Sequence, residues 1–260
     1  MNKDIVRQSV VVIAVMATIA VNGLANALPL NGQTSGEISD RFQVYFVPAG
    51  YVFSIWGVIY LVLLLYAVYQ ALPAQRENPQ LRRIGYPFAL SCVANTGWLF
   101  LWHYNYFVLT LVAMVALLLL LILIYVRLKV GVTAVSPTER WLVHLPFSIY
   151  LAWITVATIA NLTAVLDFVG WGGWGISPQS WAVIMLIASG TIASAVTLTR
   201  SDVAFGLVII WALIGIGLKQ ADTPLVAIAA WVMTVFVGLM TVVGVLLNRR
   251  HSTSISGAMT

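Results

Sequence analysis

The sequence predicts an all-α fold: a polytopic transmembrane helix bundle of about eight spans. Three observations predict it. Hydrophobic residues make up 61% of the 260 and charged residues only 8%, against roughly 25% charged in a soluble domain. So few charges cannot coat a water-facing surface of this size. The apolar residues also come in long blocks, and a helix crossing a ~30 Å hydrocarbon core needs about 20 of them. Finally, the period-2 alternation of an outer-membrane barrel is absent. Helices then satisfy the backbone groups that a water-free bilayer interior cannot.

The blocks run approximately from Gln8 to Leu28, Ala49 to Leu72, Leu81 to His103, Tyr106 to Lys129, Trp141 to Asp167, Ser180 to Thr199, Val203 to Leu218 and Pro224 to Leu247. The seventh is at the short end for a span. Ser201 and Asp202 leave only a tight turn before it, so the sixth and seventh form a hairpin. At the first block, Lys3 and Arg7 before an apolar run and Ala25-Asn26-Ala27 at its end also fit signal-peptide grammar. The reading adopted keeps this helix in the bundle.

The net charge is +5, but the basic residues sit in short connections between apolar blocks. That is the pattern of anchoring loops, and it argues against a nucleic-acid partner. Lys3, Arg7, Arg76, Arg82, Arg83, Arg127, Lys129, Arg140, Arg200, Arg249 and Arg250 fall on one side; Arg41 and Lys219 fall on the other. The positive-inside rule places both termini in the cytoplasm, and the expected location is a bacterial inner (plasma) membrane. The single Cys92 lies inside an apolar block and forms no intrachain disulfide.

Two longer connections face outward. Pro29 to Pro48 holds Asn31, Gly32, Glu37, Asp40 and Arg41; Phe168 to Gln179 contains Gly170-Trp171-Gly172-Gly173-Trp174-Gly175. The second reads as an aromatic interfacial anchor or as a lid over an outward-facing site.

Polar and aromatic residues form stripes. Asn22 and Asn26 are four apart; Phe53, Trp56 and Tyr60 lie at i, i+3 and i+7; Asn95, Trp98 and Trp102 repeat that spacing; Trp153, Ala157 and Asn161 lie at i, i+4 and i+8. Each set shares one helix face. Given the span directions, all lie near the midplane or in the outer half. Intramembrane asparagines are costly without partners. They read either as interhelical hydrogen bonds, each contributing about 0.6–2 kcal/mol, or as the polar groups of an apolar, aromatic-lined ligand cavity.

Three motifs resemble a known family. Pro48-x-Gly50-Tyr51-x-Phe53-x-x-Trp56-x-x-Ile59-Tyr60, Asn95-x-x-Trp98, and the run from Tyr150-Leu151-Ala152-Trp153 to Ala160-Asn161 resemble the second-, third- and fifth-helix signatures of the TspO/MBR family. These are the tryptophan-rich sensory proteins, related to the translocator protein or peripheral benzodiazepine receptor. The resemblance covers about Gln8 to Asp167. Tyr51 stands where the family usually has Trp, Pro146 lies seven residues before Trp153, and three further spans follow.

The resemblance implies two parts: residues 1–167 as a five-helix bundle, and residues 168–260 as the outer loop, three additional helices and a polar tail. It implies a membrane receptor or sensor for a flat hydrophobic molecule, such as a porphyrin, haem-like tetrapyrrole or sterol. The implied ligand site is Asn22, Tyr51, Phe53, Trp56, Asn95, Trp98, Trp153 and Asn161. A transporter of a small amphipathic substrate and a porphyrin-degrading enzyme are the alternatives. The bilayer, the small ligand and a second copy of the chain are the expected partners, with porphyrin or haem as ligand rather than established cofactor.

Catalytic and metal-binding motifs are missing: there is no H-E-x-x-H, Cys–His cluster or phosphate loop. His103 is a candidate axial haem ligand or a satisfied interfacial histidine. Asp167 is a candidate proton-coupling carboxylate or the end of its helix.

Overall fold

A computed structural model gives the architecture. It describes residues 2–28 and 30–257, and their side chains except Asn26 and residues 249–257. The Ala25-Asn26-Ala27 reading and the Asn22–Asn26 pairing therefore fall partly outside the described residues, as do the side chains of Arg249, Arg250 and His251.

The long helices are α1 (Lys3–Ala27), α2 (Ile55–Ala71), α3 (Pro79–His103), α4 (Phe107–Arg127), α5 (Leu145–Phe168), α6 (Pro178–Arg200), α7 (Val203–Lys219) and α8 (Pro224–Gly257). Among the described residues, seven apolar segments are long enough to cross a membrane; α7, at 17 residues, is apolar but shorter. Its length is set at both ends. The Asp202 carboxylate accepts the Phe205 N–H at 3.1 Å, and the helix stops at Gln220. The chain is thus a helical integral membrane protein, as expected, and the seventh apolar block is the short helix α7.

Local chemistry explains the helix starts. The Asn2 side chain accepts the Asp4 N–H, Asn78 caps α3 before Pro79, and Ser177 caps α6 before Pro178. These acceptors satisfy backbone donors that have no partner within the helix. Between α6 and α7, Ser201 takes the left-handed conformation (φ 51°), and its hydroxyl donates to the Gly244 carbonyl at 3.0 Å. The expected hairpin is there.

Two prolines interrupt helices, and each defect has a partner. Pro87 has no N–H for the Arg83 carbonyl, a gap that weakens a helix. The Arg127 guanidinium donates to that carbonyl instead, at 2.7 Å. Before α5, residues Arg140–His144 form a π-helical turn in which the Leu145 N–H reaches Arg140. The wider turn accommodates Pro146, which cannot donate to Leu142.

The chain forms two compact units. The first contains residues 1–44, 53–129 and 135–172; the second contains 45–52, 130–134 and 173–260. In the first unit, α1 packs on α2, α2 on α5, α5 on α4, α4 on α3 and α3 on α1. These pairings close a ring of five helices. Leu151 to Val156 of α5 are all buried, so this helix has no exposed stripe there. Cys92 is buried on α3.

In the second unit, α6, α7 and α8 pack pairwise. Small residues permit close backbone approach, as in other membrane helix pairs. At Gly244 of α8 a Cβ would lie 2.2 Å from the Thr197 carbonyl oxygen of α6. Gly244→Leu should therefore push α6 and α8 apart, with a loss of about 1–3 kcal/mol typical of overpacking. A lowered thermal midpoint in detergent, relative to Leu246→Ala on the exposed side of α8, is the expected measurement.

Candidate ligand-binding site

In the first unit, buried asparagines organise two polar layers. The first joins α1, α3 and α5. The Asn22 side-chain amide donates to the Thr18 carbonyl and to Asn95 Oδ1, both at 2.9 Å. Asn95 in turn donates to the Tyr150 hydroxyl at 3.1 Å. Asn22, Asn95 and Tyr150 are all buried. Each amide thus compensates its neighbour's loss of water.

Aromatic rings adjoin this layer. Trp56 stacks on Tyr60, with centroids 5.4 Å apart and 20° between planes. The same indole meets Tyr150 and Trp153 edge-on, each at 6.2 Å, and Trp153 meets Phe53 edge-on at 5.9 Å. Phe53 and Trp56 are half-buried, whereas Trp153 is 2% exposed. Its indole Nε1 has no hydrogen-bond partner among the described residues. A buried indole N–H ordinarily finds an acceptor.

The second layer joins α3, α4 and α5. Trp98 Nε1 donates to Asn161 Oδ1 at 3.4 Å, and the Asn161 amide donates to the Thr110 hydroxyl at 2.9 Å. Asn161 is eight residues beyond Trp153, or about 12 Å along the helix. The expected site residues are therefore spread along the bundle. Phe53, Trp56, Trp153, Asn22 and Asn95 belong to one layer, and Trp98 and Asn161 to the next. Tyr51 belongs to the second unit, where its ring is edge-on to Trp211 at 5.3 Å.

Tyr150 and Thr110 are essential to these layers but were not among the expected site residues. Both left a signal. Tyr150 opens the fifth-helix motif, and Thr110 is the lone hydroxyl in an otherwise apolar stretch from Phe107 to Ile124.

Beyond Trp98 the first long connection folds over the helix ends. Ile38 is fully buried with Trp102, Phe107, Ala164 and Val165. Phe42 packs on Trp102 and Phe107 at 5.6 and 5.0 Å, and Trp102 Nε1 donates to the Ser35 carbonyl at 3.2 Å. The one-turn helix Ser35–Ser39 is closed by a capping box between Thr34 and Glu37. The Thr34 N–H, then its hydroxyl, hold the Glu37 carboxyl below its ordinary range. The cap is thus complete above that range and is lost as pH falls through the lowered value.

The later Gly–Trp loop has a different setting. Trp174 is 81% exposed and meets Trp181 edge-on at 6.0 Å.

A family model, that of TSPO-like proteins, matches residues 8–243. The chain belongs to the TSPO-like family. Comparison with curated proteins and with solved structures finds no match. In this TSPO-like chain the family match runs beyond Asp167, so it includes α6, α7 and most of α8 rather than ending with the five-helix bundle.

Two candidate functional groups of the TSPO-like chain have structural partners. His103 is fully buried. Its Nδ1–H donates to the Leu99 carbonyl at 2.8 Å, and Nε2 faces the Ser35 hydroxyl at 3.5 Å. This is a satisfied histidine with neither nitrogen presented to a ligand. Asp167 accepts the Gln43 N–H at 3.3 Å near the end of α5. Among the described residues, no group of three or more His, Cys, Asp or Glu could hold a metal ion.

Asn95 is the central member of the first layer, so Asn95→Ala should leave Asn22 Nδ2 with the Thr18 carbonyl but without its bond across to α3, and should remove the donor that the Tyr150 hydroxyl accepts from. A destabilisation of about 1–3 kcal/mol is expected for such a loss. Thermal unfolding in detergent, compared with Leu90→Ala on the exposed side of α3, measures it.

Proposed function

We propose that the chain is a membrane receptor or sensor that binds a flat hydrophobic molecule, of the porphyrin or sterol-like class, against Phe53, Trp56 and Trp153. One observation carries this reading. The indole N–H of buried Trp153, without an acceptor among the described residues, stands within a cluster of edge-on rings. A flat ligand supplies apolar area to those rings, and an acceptor at its edge receives the Trp153 proton. The ring faces contribute most of the affinity, and the single polar contact sets the orientation. Asn22 and Asn95 act by holding Tyr150 against Trp56. Trp98 and Asn161 form the layer between the rings and the first connection.

The proposed location is a bacterial inner membrane with both termini cytoplasmic. The basic residues at one set of helix ends support that orientation, and the site then lies towards the outer half.

Titration of the detergent-solubilised protein with protoporphyrin IX, followed by the ligand's absorbance, tests the site. Trp153→Phe keeps the apolar ring and removes the N–H, and should weaken binding about tenfold, the order expected for one well-placed hydrogen bond. Trp56→Ala should weaken it more, because ring contact and packing are both lost. Equal affinity in wild type and both variants would refute the site.

A further inference from the structure

Two stretches of chain outside α6–α8 belong to the second unit: Tyr45–Val52 and Val130–Ala134. Both lead towards helices that carry the proposed site. Phe53 follows Val52 directly, and Trp56 is one turn further. The second stretch lies in the link between α4, with Thr110, and α5, with Tyr150, Trp153 and Asn161.

The first stretch is irregular before the turn Gly50–Ser54. Unpaired backbone groups at membrane depth are tolerated only where protein satisfies them. Here α7 supplies the partners. The Ala49 N–H donates to the Gly215 carbonyl at 3.1 Å. Trp211 Nε1 donates to the Val52 carbonyl at 3.1 Å, and the Gln220 side-chain amide donates to the Tyr45 carbonyl at 3.2 Å. From α6, the Gln179 amide donates to the Tyr45 hydroxyl at 3.0 Å.

Packing closes around the same stretch. A Cβ on Gly215 would lie 2.2 Å from Val52 Cγ2 and 3.2 Å from Pro48 Cβ. Val52 is fully buried. Glycine at 215 therefore lets α7 pack closely against the Val52 and Pro48 side chains, just ahead of Phe53.

The second stretch is held by the end of α6. Gly131 has φ +71°, and a Cβ there would lie 1.9 Å from the Arg200 carbonyl oxygen. Arg200 Nη1 donates to the Val130 carbonyl at 3.4 Å. Both stretches are thus held by α6 and α7 within the second unit.

We infer that α6–α8 is a brace for the ligand site. It fixes the stretch that enters α2 and the link that leads to α5, so the site's rings are positioned before the ligand arrives. Positioning in advance strengthens binding by removing the ordering cost at the moment of association. Trp211 and Gly215 are positioning residues: they act through residues 48–52 and touch no ligand. This inference rests on the proposed ligand site, but its structural half is measurable without ligand.

The experiment uses the full chain in lipid nanodiscs. Trp211→Phe removes one hydrogen bond and keeps the ring, Gly215→Leu breaks the close approach, and Ile228→Leu on the exposed side of α8 is the control. Amide hydrogen exchange over residues 45–60 and the affinity for protoporphyrin IX, read from its absorbance, are both measured. Trp211→Phe should speed exchange over residues 45–56 about tenfold and weaken porphyrin binding several-fold, with Gly215→Leu stronger in both and the control unchanged. Unchanged exchange in Trp211→Phe and Gly215→Leu would overturn the brace. Faster exchange with affinity equal to wild type would overturn its link to the site. Wild type that binds no porphyrin would overturn the ligand reading alone, and faster exchange extending past Phe53 in the variants would still support the brace.

Discussion

The absence of water in the bilayer interior is the constraint on which the rest of this structure depends. A polar group placed there must find its partner within the protein. Asn22, Asn95 and Tyr150 meet the demand by bonding in series across three helices. Trp98, Asn161 and Thr110 do so across another three. These contacts fix rotation and depth for helices whose apolar surfaces alone would slide. Each is modest in energy, about 0.6 kcal/mol on average for such membrane contacts. Their value lies in direction, because an amide accepts and donates along few lines.

The same constraint explains the treatment of irregular backbone. The Arg83 carbonyl freed by Pro87 takes the Arg127 guanidinium. Pro146 sits just after a π turn that re-pairs the chain. The stretch before Phe53 takes its partners from α7. Against this background the unpaired Trp153 indole stands out. It lies beside Trp56 and Phe53, where the described residues provide rings and no acceptor.

Helix positions were legible in the sequence because hydrophobic blocks of span length have few other uses. The spans from Leu81 to His103 and from Val203 to Leu218 match α3 and α7 to within a few residues. The asparagine stripes were legible because buried amides need partners. Which partners they take was not, since periodicity assigns a face and says nothing of the residue opposite. Tyr150 and Thr110 were overlooked for that reason. Tyr51 is grouped with the site by its motif, and the ring it meets, Trp211, is distant in sequence. The loop that covers the end of α3 was also unexpected. The Gly–Trp loop drew attention through its composition, whereas Ile38 and Phe42 are ordinary residues made important by what they cover.

The central claim is that the rings beside the unpaired indole receive a flat hydrophobic molecule. Native mass spectrometry of the full chain, released from detergent after incubation with protoporphyrin IX, tests it most directly. The account predicts one porphyrin retained per chain by the wild type, and loss of that adduct when Trp56 and Trp153 are both replaced by alanine in a variant that retains its helical circular dichroism. An adduct of equal abundance in the folded double variant, or none in the wild type, would contradict it.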